Sequence, residues 1–389
     1  MKQLLQLPGA TALVAFFTLY FAYIGMFAPY FPLYLNARGL SAAEIGLMLS
    51  VLQGVRIVGP WVWAWVADHT GQPARIMSIT LLVSLICFSG LYVVAGWWPM
   101  LCLLVGFTLF SSGQVPLSEV LTRQVLIKHY DQYGRLRLFG SIGFIAAVWA
   151  LGPVLDDWGM QTLPHWIVGC LLLLLWVTLR LPHDPVAHAD LPVVSFWAQV
   201  RQPGVAWFML SATLMVAAHS CLYTYFSLYL DGLGYAKATI GFLWGLGVVA
   251  EVLLFYGQHR ILQRYASLPL FLLCFAACAI RWVAVGVAGE SMSVLLFTQV
   301  LHALTFALHH TLTMRQLQCW FHGRTAARGQ ALYVSLAYGL GATLGGLFCT
   351  YLWTSYTHRS VFFASAGLAL LGGIALWHSQ TRITTKEDQ

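Results

Sequence analysis

Charge is what this sequence has least of. Only 8% of its 389 residues are Asp, Glu, Lys or Arg, and 59% are hydrophobic, whereas a soluble domain carries about 25% charged residues. That scarcity excludes an ordinary soluble domain and leaves a polytopic membrane protein. The usual marks of catalysis are also missing. There is no Gly-rich phosphate loop, no Ser, His and Asp spaced as a triad, and no His-x-x-x-His, so neither an enzyme nor a bound cofactor is expected. The eight cysteines, Cys87, Cys102, Cys170, Cys221, Cys274, Cys278, Cys319 and Cys349, fall inside or at the ends of apolar runs. None has metal-site spacing around it; they read as packing residues, and no metal is expected. After Lys2 the chain enters a long apolar run without a small-residue cleavage site, which reads as a first membrane helix and not a removable signal.

What is present in quantity is membrane span. Apolar runs near the ~20 residues that cross a bilayer recur twelve times, at 10–35, 43–67, 76–96, 99–122, 138–155, 163–181, 204–230, 238–257, 268–287, 292–317, 329–353 and 358–378. With both termini cytoplasmic, about fifteen of the twenty Lys and Arg, from Lys2 and Arg75 through Arg123, Lys128 and Arg324 to Arg382 and Lys386, fall at cytoplasmic ends. The outer loops hold Arg38, Lys237 and Arg359. That asymmetry is the positive-inside rule. It accounts for the formal charge of +7 with a lipid bilayer as partner and no nucleic acid.

The chain repeats itself at an offset of 195 residues (225 − 30). Tyr30-Phe-Pro-Leu-Tyr-Leu35 returns as Tyr225-Phe-Ser-Leu-Tyr-Leu230, Gly39 as Gly234, Ile45-Gly46 as Ile240-Gly241, and Gly134 as Gly329. The expected fold is an all-α membrane protein of twelve transmembrane helices in two pseudo-symmetric six-helix bundles, residues 1–181 and 204–389. Residues 182–203 form a cytoplasmic linker, Pro- and His-bearing at first and amphipathic around 196–202, in which His183 and His188 are given no role. Parallel repeats of this kind occur in transporters whose substrate site lies near the bilayer midplane between the halves.

Against this background the intramembrane ionisable residues stand out. Glu251 sits in the apolar run Gly245–Gly257, where a charge at the bilayer centre costs about 2.5–3.5 kcal/mol on insertion scales. Glu119, Arg56, Arg281, His219, His302, His309 and His310 also fall within spans, and Arg137 near the start of the fifth. The repeat register places Arg56 on Glu251, so a buried charge pair is one expectation for Glu251 and Arg281 supplies another partner. In the tenth span His302, Thr305, Phe306 and His309 share one face, which predicts a cavity or a helix contact; a metal site is the alternative that face leaves open. Tyr20, Tyr23, Phe27, Tyr30 and Tyr34 form one stripe of the first span, either packing or, with Trp244 and Trp282, a wall for an aromatic ring. Proton coupling is therefore expected of Glu251, His302 and Arg281. Substrate binding is expected of Glu119, Arg137, Arg56, Arg281, Tyr23, His219, Trp244 and His309. Three Arg against two Glu leaves one positive charge in excess, which favours an anion.

Two motifs carry a family resemblance. Ala64-Trp-Val-Ala-Asp68-His-Thr-Gly71-Gln-Pro-Ala-Arg75 resembles the major facilitator signature after the second helix, with Ala64 for its first Gly and Gln72-Pro73 for its basic pair. The resemblance implies that Asp68, Gly71 and Arg75 act as a conformational latch. Ser118-Glu119, then Gly134-Arg-Leu-Arg137, and further on Glu251, Arg281 and His302, are similar to the charged set of lactose-permease-type proton symporters. Thr305 stands where that family has its proton-carrying acid, which moves proton duty to Glu251 or His302. Val-Pro-Leu-Ser-Glu119, Arg137-Leu-Phe-Gly140, Val-Val-Ala-Glu251, Arg281-Trp282 and Leu-His302-Ala-Leu-Thr305-Phe resemble the phenylpropionate-permease branch over nearly the whole chain. That likeness implies a monomeric, proton-coupled symporter of a small organic solute, an aromatic carboxylate, in a bacterial inner membrane. A sugar or nucleoside symporter is the alternative, with a metal or siderophore transporter further off.

Overall fold

The computed structural model describes residues 7–127, 129, 132–182, 195–322 and 325–387. Lys2, Lys128 and Arg324, residues 183–194 of the expected linker with His183 and His188, and the side chain of Lys386 lie outside the described residues. Twelve described helices are long and apolar enough to cross a membrane. They are α1 Ala10–Ala37, α2 Ala42–Thr70, α3 Pro73–Tyr92, α4 Trp97–Val125, α5 Tyr133–Trp158, α6 Met160–Thr178, α7 Val205–Gly232, α8 Lys237–Arg264, α9 Ser267–Ala288, α10 Met292–Trp320, α11 Arg328–Ser355 and α12 Ser360–Arg382. Among the described residues there is no strand. In hydrocarbon every backbone N–H and C=O must be satisfied inside its own segment, which an α-helix does by itself.

Helix ends are set by local chemistry. Ser41 and Glu44 form a capping box at the start of α2, each satisfying a backbone donor that the first turn leaves open. Gly71 ends the same helix in the left-handed region, φ 65°, with its N–H on the Ala67 carbonyl. The amphipathic stretch before α7 is the short helix Phe196–Val200, capped by the Ser195 hydroxyl. α4 is interrupted at Ser112–Gly113, between helical pieces Trp97–Ser111 and Gln114–Val125.

The internal repeat is visible in the backbone. Gly39 and Gly234 follow α1 and α7 at φ 85° and 86°, angles at which a Cβ is strained. Each is closed by the same two hydrogen bonds: Gly39 N to Asn36 O and Leu40 N to Leu35 O, then Gly234 N to Asp231 O and Tyr235 N to Leu230 O. Gly9 and Gly204, at φ 80° and 84°, open the same two helices.

The chain divides into two compact units, Met1–His188 with Leu230–Gly245, and Ala189–Tyr229 with Leu246–Gln389. In the first, α1 packs chiefly on α5 and α6, and α3 on α4 and α6. Small residues allow this. A Cβ on Gly25 would stand 2.7 Å from the Phe144 carbonyl oxygen, and one on Gly143 would run into that of Thr18, the close backbone approach that drives helix association in lipid. In the second unit α7 packs on α11 and α12, and α9 on α10 and α12, the same pairs one repeat later.

Residues 230–245, which the sequence places with the second half, group with the first unit because of specific bonds. Asp156, in the last turn of α5, accepts from the backbone N–H of Lys237 at 2.8 Å and of Ala238 at 2.9 Å. The Tyr30 hydroxyl donates to the Val148 carbonyl at 2.8 Å, and Gly241 leaves room for it. A carboxylate over the first N–H groups of a helix satisfies donors that have no partner within the helix. Large apolar side chains such as Ile86, Leu172, Val287 and Leu371 are exposed, as helices bathed in lipid require.

Candidate functional site

The deepest polar cluster belongs to the second unit and is built on three consecutive helices. Arg281 of α9 is fully buried, and His302 of α10 nearly so. Arg281 Nη1 lies 2.8 Å from His302 Nδ1, and His302 Nε2 lies 2.9 Å from Glu251 Oε1 of α8. A guanidinium has donors and no acceptor, so Nδ1 must accept and the ring hydrogen must sit on Nε2, which donates to the carboxylate. Cation and carboxylate are thus joined through one neutral imidazole. This refines the expectation that Glu251 pairs directly with a guanidinium: the side chain bonded to Glu251 is His302, and Arg281 stands one link behind.

The relay continues on its other side. Arg281 Nη1 also reaches Thr305 Oγ1 at 3.4 Å, and Nη2 reaches Gln299 Oε1 at 3.3 Å. His219 of α7 places Nδ1 2.8 Å from the Met215 carbonyl and Nε2 3.1 Å from Thr305 Oγ1. A carbonyl only accepts, so Nδ1 carries the hydrogen, and Nε2 of the neutral ring accepts from the Thr305 hydroxyl. The polar chain therefore runs from Glu251 through His302, Arg281, Thr305 and His219 to a backbone carbonyl, while the buried Arg281 Nε–H is left without an acceptor among the described residues. The Arg281 guanidinium carbon also lies 4.4 Å from the Trp282 ring centroid, a cation–π contact that offsets part of its desolvation. A buried charge is tolerated only when paired and hydrogen-bonded in this way.

Gly247 makes room for the relay. It lies one turn before Glu251 on α8, and a Cβ there would meet His302 Cδ2 at 3.2 Å. Gly247→Val adds a three-carbon branched side chain against that ring. With overpacking costs of about 1–3 kcal/mol, transport is expected to fall about tenfold, with Gly247→Ala milder; initial uptake rates in vesicles check it, and full activity in the Val variant would contradict the packing.

Beside the relay lies a small pocket within the second unit, with room for little more than a water molecule. Its walls are Met215, Val216, His219 and Tyr223 from α7, Thr305, Phe306, His309 and His310 from α10, and Tyr333 and Tyr338 from α11. Aromatic and imidazole rings make up most of the surface. Each contributing helix departs from α geometry at the cavity: π-helical stretches run over Leu222–Phe226, Ala303–Leu308 and Val334–Gly341. Such stretches are rare and concentrate at functional sites. Here the wider turn of α11 brings Tyr333 and Tyr338, five residues apart, edge to face at 5.7 Å.

Of the expected site residues, Glu251, His302 and Arg281 come together, and His219 and His309 line the cavity. Arg281 does not reach the cavity wall; Thr305 stands between. Glu119 and Arg137 meet in the first unit at 3.2 Å. Tyr133 donates to the same carboxylate at 3.1 Å, and Arg137 lies over the Phe17 and Phe21 rings. Tyr23 is buried in a ring cluster with Tyr20, Phe27 and Phe107, and Trp244 is buried in residues 230–245. Arg56 is exposed on α2. Asp68 and Arg75 are both exposed, and Arg75 is bonded to Gln72 at 3.2 Å. Tyr333, Tyr338 and Gln299 were not expected. Gln299 carries a readable signal, three residues before His302 on the same face; the two tyrosines carry none, since a five-residue spacing shares a face only in a π turn. Among the described residues no three of His, Cys, Asp and Glu converge as metal ligands.

Comparison with known proteins gives this arrangement a family. The MFS_1-like family pattern matches residues 10–364. The chain is a member of the MFS_1-like family. As such a member it has the major facilitator fold and is an integral membrane protein of transporter type. It is 28% identical to a protein of Escherichia coli (strain K12) named "Probable 3-phenylpropionic acid transporter", over 92% of this chain and 94% of that one. It is 25% identical to a maltose permease of Geobacillus stearothermophilus, over 93% and 92%. Its structure is similar to that of the nucleoside transporter NupG, with a TM-score of 0.79 at 17% identity over 95% of this chain and 98% of that one. The MFS_1-like relationship thus covers both repeats, including the relay and the cavity.

Proposed function

We propose that the protein is a proton-coupled symporter of a small aromatic carboxylate, working by alternating access as a monomer in the bacterial inner membrane with both termini cytoplasmic. It is a transporter and not an enzyme. The observation that carries this reading is the buried relay Glu251–His302–Arg281 abutting an aromatic cavity through Thr305. Charge balance supplies the mechanism. With Glu251 ionised, relay and guanidinium are neutral together. Protonation of Glu251 removes the negative end, and the imidazole no longer joins a cation to an anion. The positive charge on Arg281 is then uncompensated, and a substrate carboxylate arriving beside the relay restores neutrality. One proton and one anion thus load together, and the loaded protein carries no net charge through low-dielectric surroundings, where an isolated charge is most costly. The 28% identity to a protein named for 3-phenylpropionic acid supports the aromatic acid.

Labelled 3-phenylpropionate in proteoliposomes tests the reading. An inside-alkaline pH gradient is expected to drive accumulation above the outside concentration, and a protonophore to return it to equilibrium. Uptake that ignores the gradient would contradict proton coupling. The likeness to a protein named maltose permease makes maltose the proper competitor: strong inhibition by maltose and none by aromatic acids would turn the substrate reading to a sugar.

A further inference from the structure

Gln299 is a weaker partner than the buried guanidinium of Arg281 could have. It lies three residues before His302 on α10, is 2% exposed, and accepts from Arg281 Nη2 through Oε1 at 3.3 Å. Nη2 only donates, so the amide oxygen faces it and the amide nitrogen is turned away. Among the described residues that nitrogen finds no acceptor, and neither does Arg281 Nε. Nε–H and Nη2–H are a parallel pair of donors, the edge on which a carboxylate binds a guanidinium with both oxygens. Gln299 offers that edge a single oxygen. An acid of the same length would offer two, with a compensating charge. An apolar side chain would avoid burying amide N–H groups that go unbonded, which costs free energy. The amide is also held where it is, since a Cβ on Gly247 of α8 would stand 3.5 Å from its oxygen. A local rule broken at this point in the fold is the mark of a functional position.

We propose that Gln299 is a positioning residue: it holds the Arg281 guanidinium by a neutral acceptor, and so leaves the positive charge to be balanced by Glu251 or by the transported anion. This rests on the symport reading above and adds to it the residue that keeps the count at one cation and one carboxylate. The titratable groups facing Arg281 are Glu251 of α8, Cys278 of α9, His302 of α10, and Cys221, Tyr223 and His219 of α7. Tyr338 of α11 faces Glu251. Glu251 is the one carboxylate among these. A second, placed on Nη2, would compensate Arg281 whatever the state of Glu251. Protonation of Glu251 would then expose no positive charge, and an arriving anion would have nothing to neutralise.

The test is uptake of labelled 3-phenylpropionate by proteoliposomes of wild type, Gln299→Glu and Gln299→Met, with KM and maximal rate followed across pH. In Gln299→Glu, KM above neutral pH is expected to rise about tenfold or more, because the introduced carboxylate repels the anion. On the acid side that group takes up a proton and becomes a neutral acceptor like the amide, so KM is expected to return toward the wild-type value. Gln299→Met removes the acceptor without adding charge. Its KM is expected to rise about five- to tenfold, the scale of one hydrogen bond, with the shape of the pH profile unchanged. Wild-type kinetics in either variant would overturn the inference, and Gln299→Met decides alone should Gln299→Glu fail to insert. A Gln299→Glu defect that persists on the acid side would assign the residue to packing and overturn it as well. Wild-type uptake that ignores a pH gradient would remove the symport reading, whereas coupled wild-type uptake beside an unaltered Gln299→Glu removes this inference alone.

Discussion

Glu251→Gln is expected to abolish accumulation against a gradient while leaving exchange of substrate across the membrane intact. Gln keeps the size of Glu and still accepts a hydrogen bond from His302 Nε2, which lies 2.9 Å from the carboxylate it replaces. What it cannot do is change charge. The variant resembles the protonated state held permanently, so loaded carriers reorient and the empty carrier never returns to its neutral, ionised form. Counterflow of labelled substrate should therefore survive, and pH-driven uptake should fall to the passive level. Uphill uptake at the wild-type rate would remove Glu251 from coupling. Loss of exchange as well would show that the carboxylate is needed for reorientation itself.

Arg281→Lys should have the second large effect, although the formal charge is unchanged. Arg281 uses Nη1 for His302 and Thr305 and Nη2 for Gln299, a forked arrangement of planar donors. An ammonium presents its donors from one point and is more strongly hydrated, so it cannot span the same acceptors. Breaking one member of a buried charged network costs about 3–5 kcal/mol, which corresponds to a loss of about two to three and a half orders of magnitude, at roughly 1.4 kcal/mol for each tenfold. Uptake in vesicles, normalised to correctly inserted protein, is the readout. Near-normal transport by the Lys variant would show that positive charge alone suffices and that the fork is unimportant.

Much of this was legible in the chain before any coordinates. Twelve spans follow from apolar runs, because hydrocarbon leaves the backbone so little choice. The repeat at 195 residues announced the paired glycine turns at Gly39 and Gly234, since a positive φ is written in the sequence as Gly. Glu251, Arg281 and His302 could be picked out because an ionisable group is rare in such a composition. Their order of contact could not. Charge alone put a guanidinium against Glu251, whereas His302 comes between them and Arg281 turns its other donors to Thr305 and Gln299. Thr305 read only as the place where an expected acid was lacking, and it proves to be the link between Arg281 and His219. Tyr333 and Tyr338 meet only through a π turn, and their five-residue spacing shares no face of an α-helix. Arg56 was singled out by symmetry alone. The repeat register made it the counterpart of Glu251, and the residue is exposed on α2 of the first unit.

The relay as a proton carrier is tested most directly by watching the proton itself. Purified protein in weakly buffered detergent with a pH-indicator dye should take up about one proton per molecule when substrate is added above neutral pH, following the one-for-one loading argued from charge balance. The same addition to Glu251→Gln should give no uptake although substrate still binds. An undiminished proton signal from the Gln variant would place the coupling group elsewhere and contradict the account.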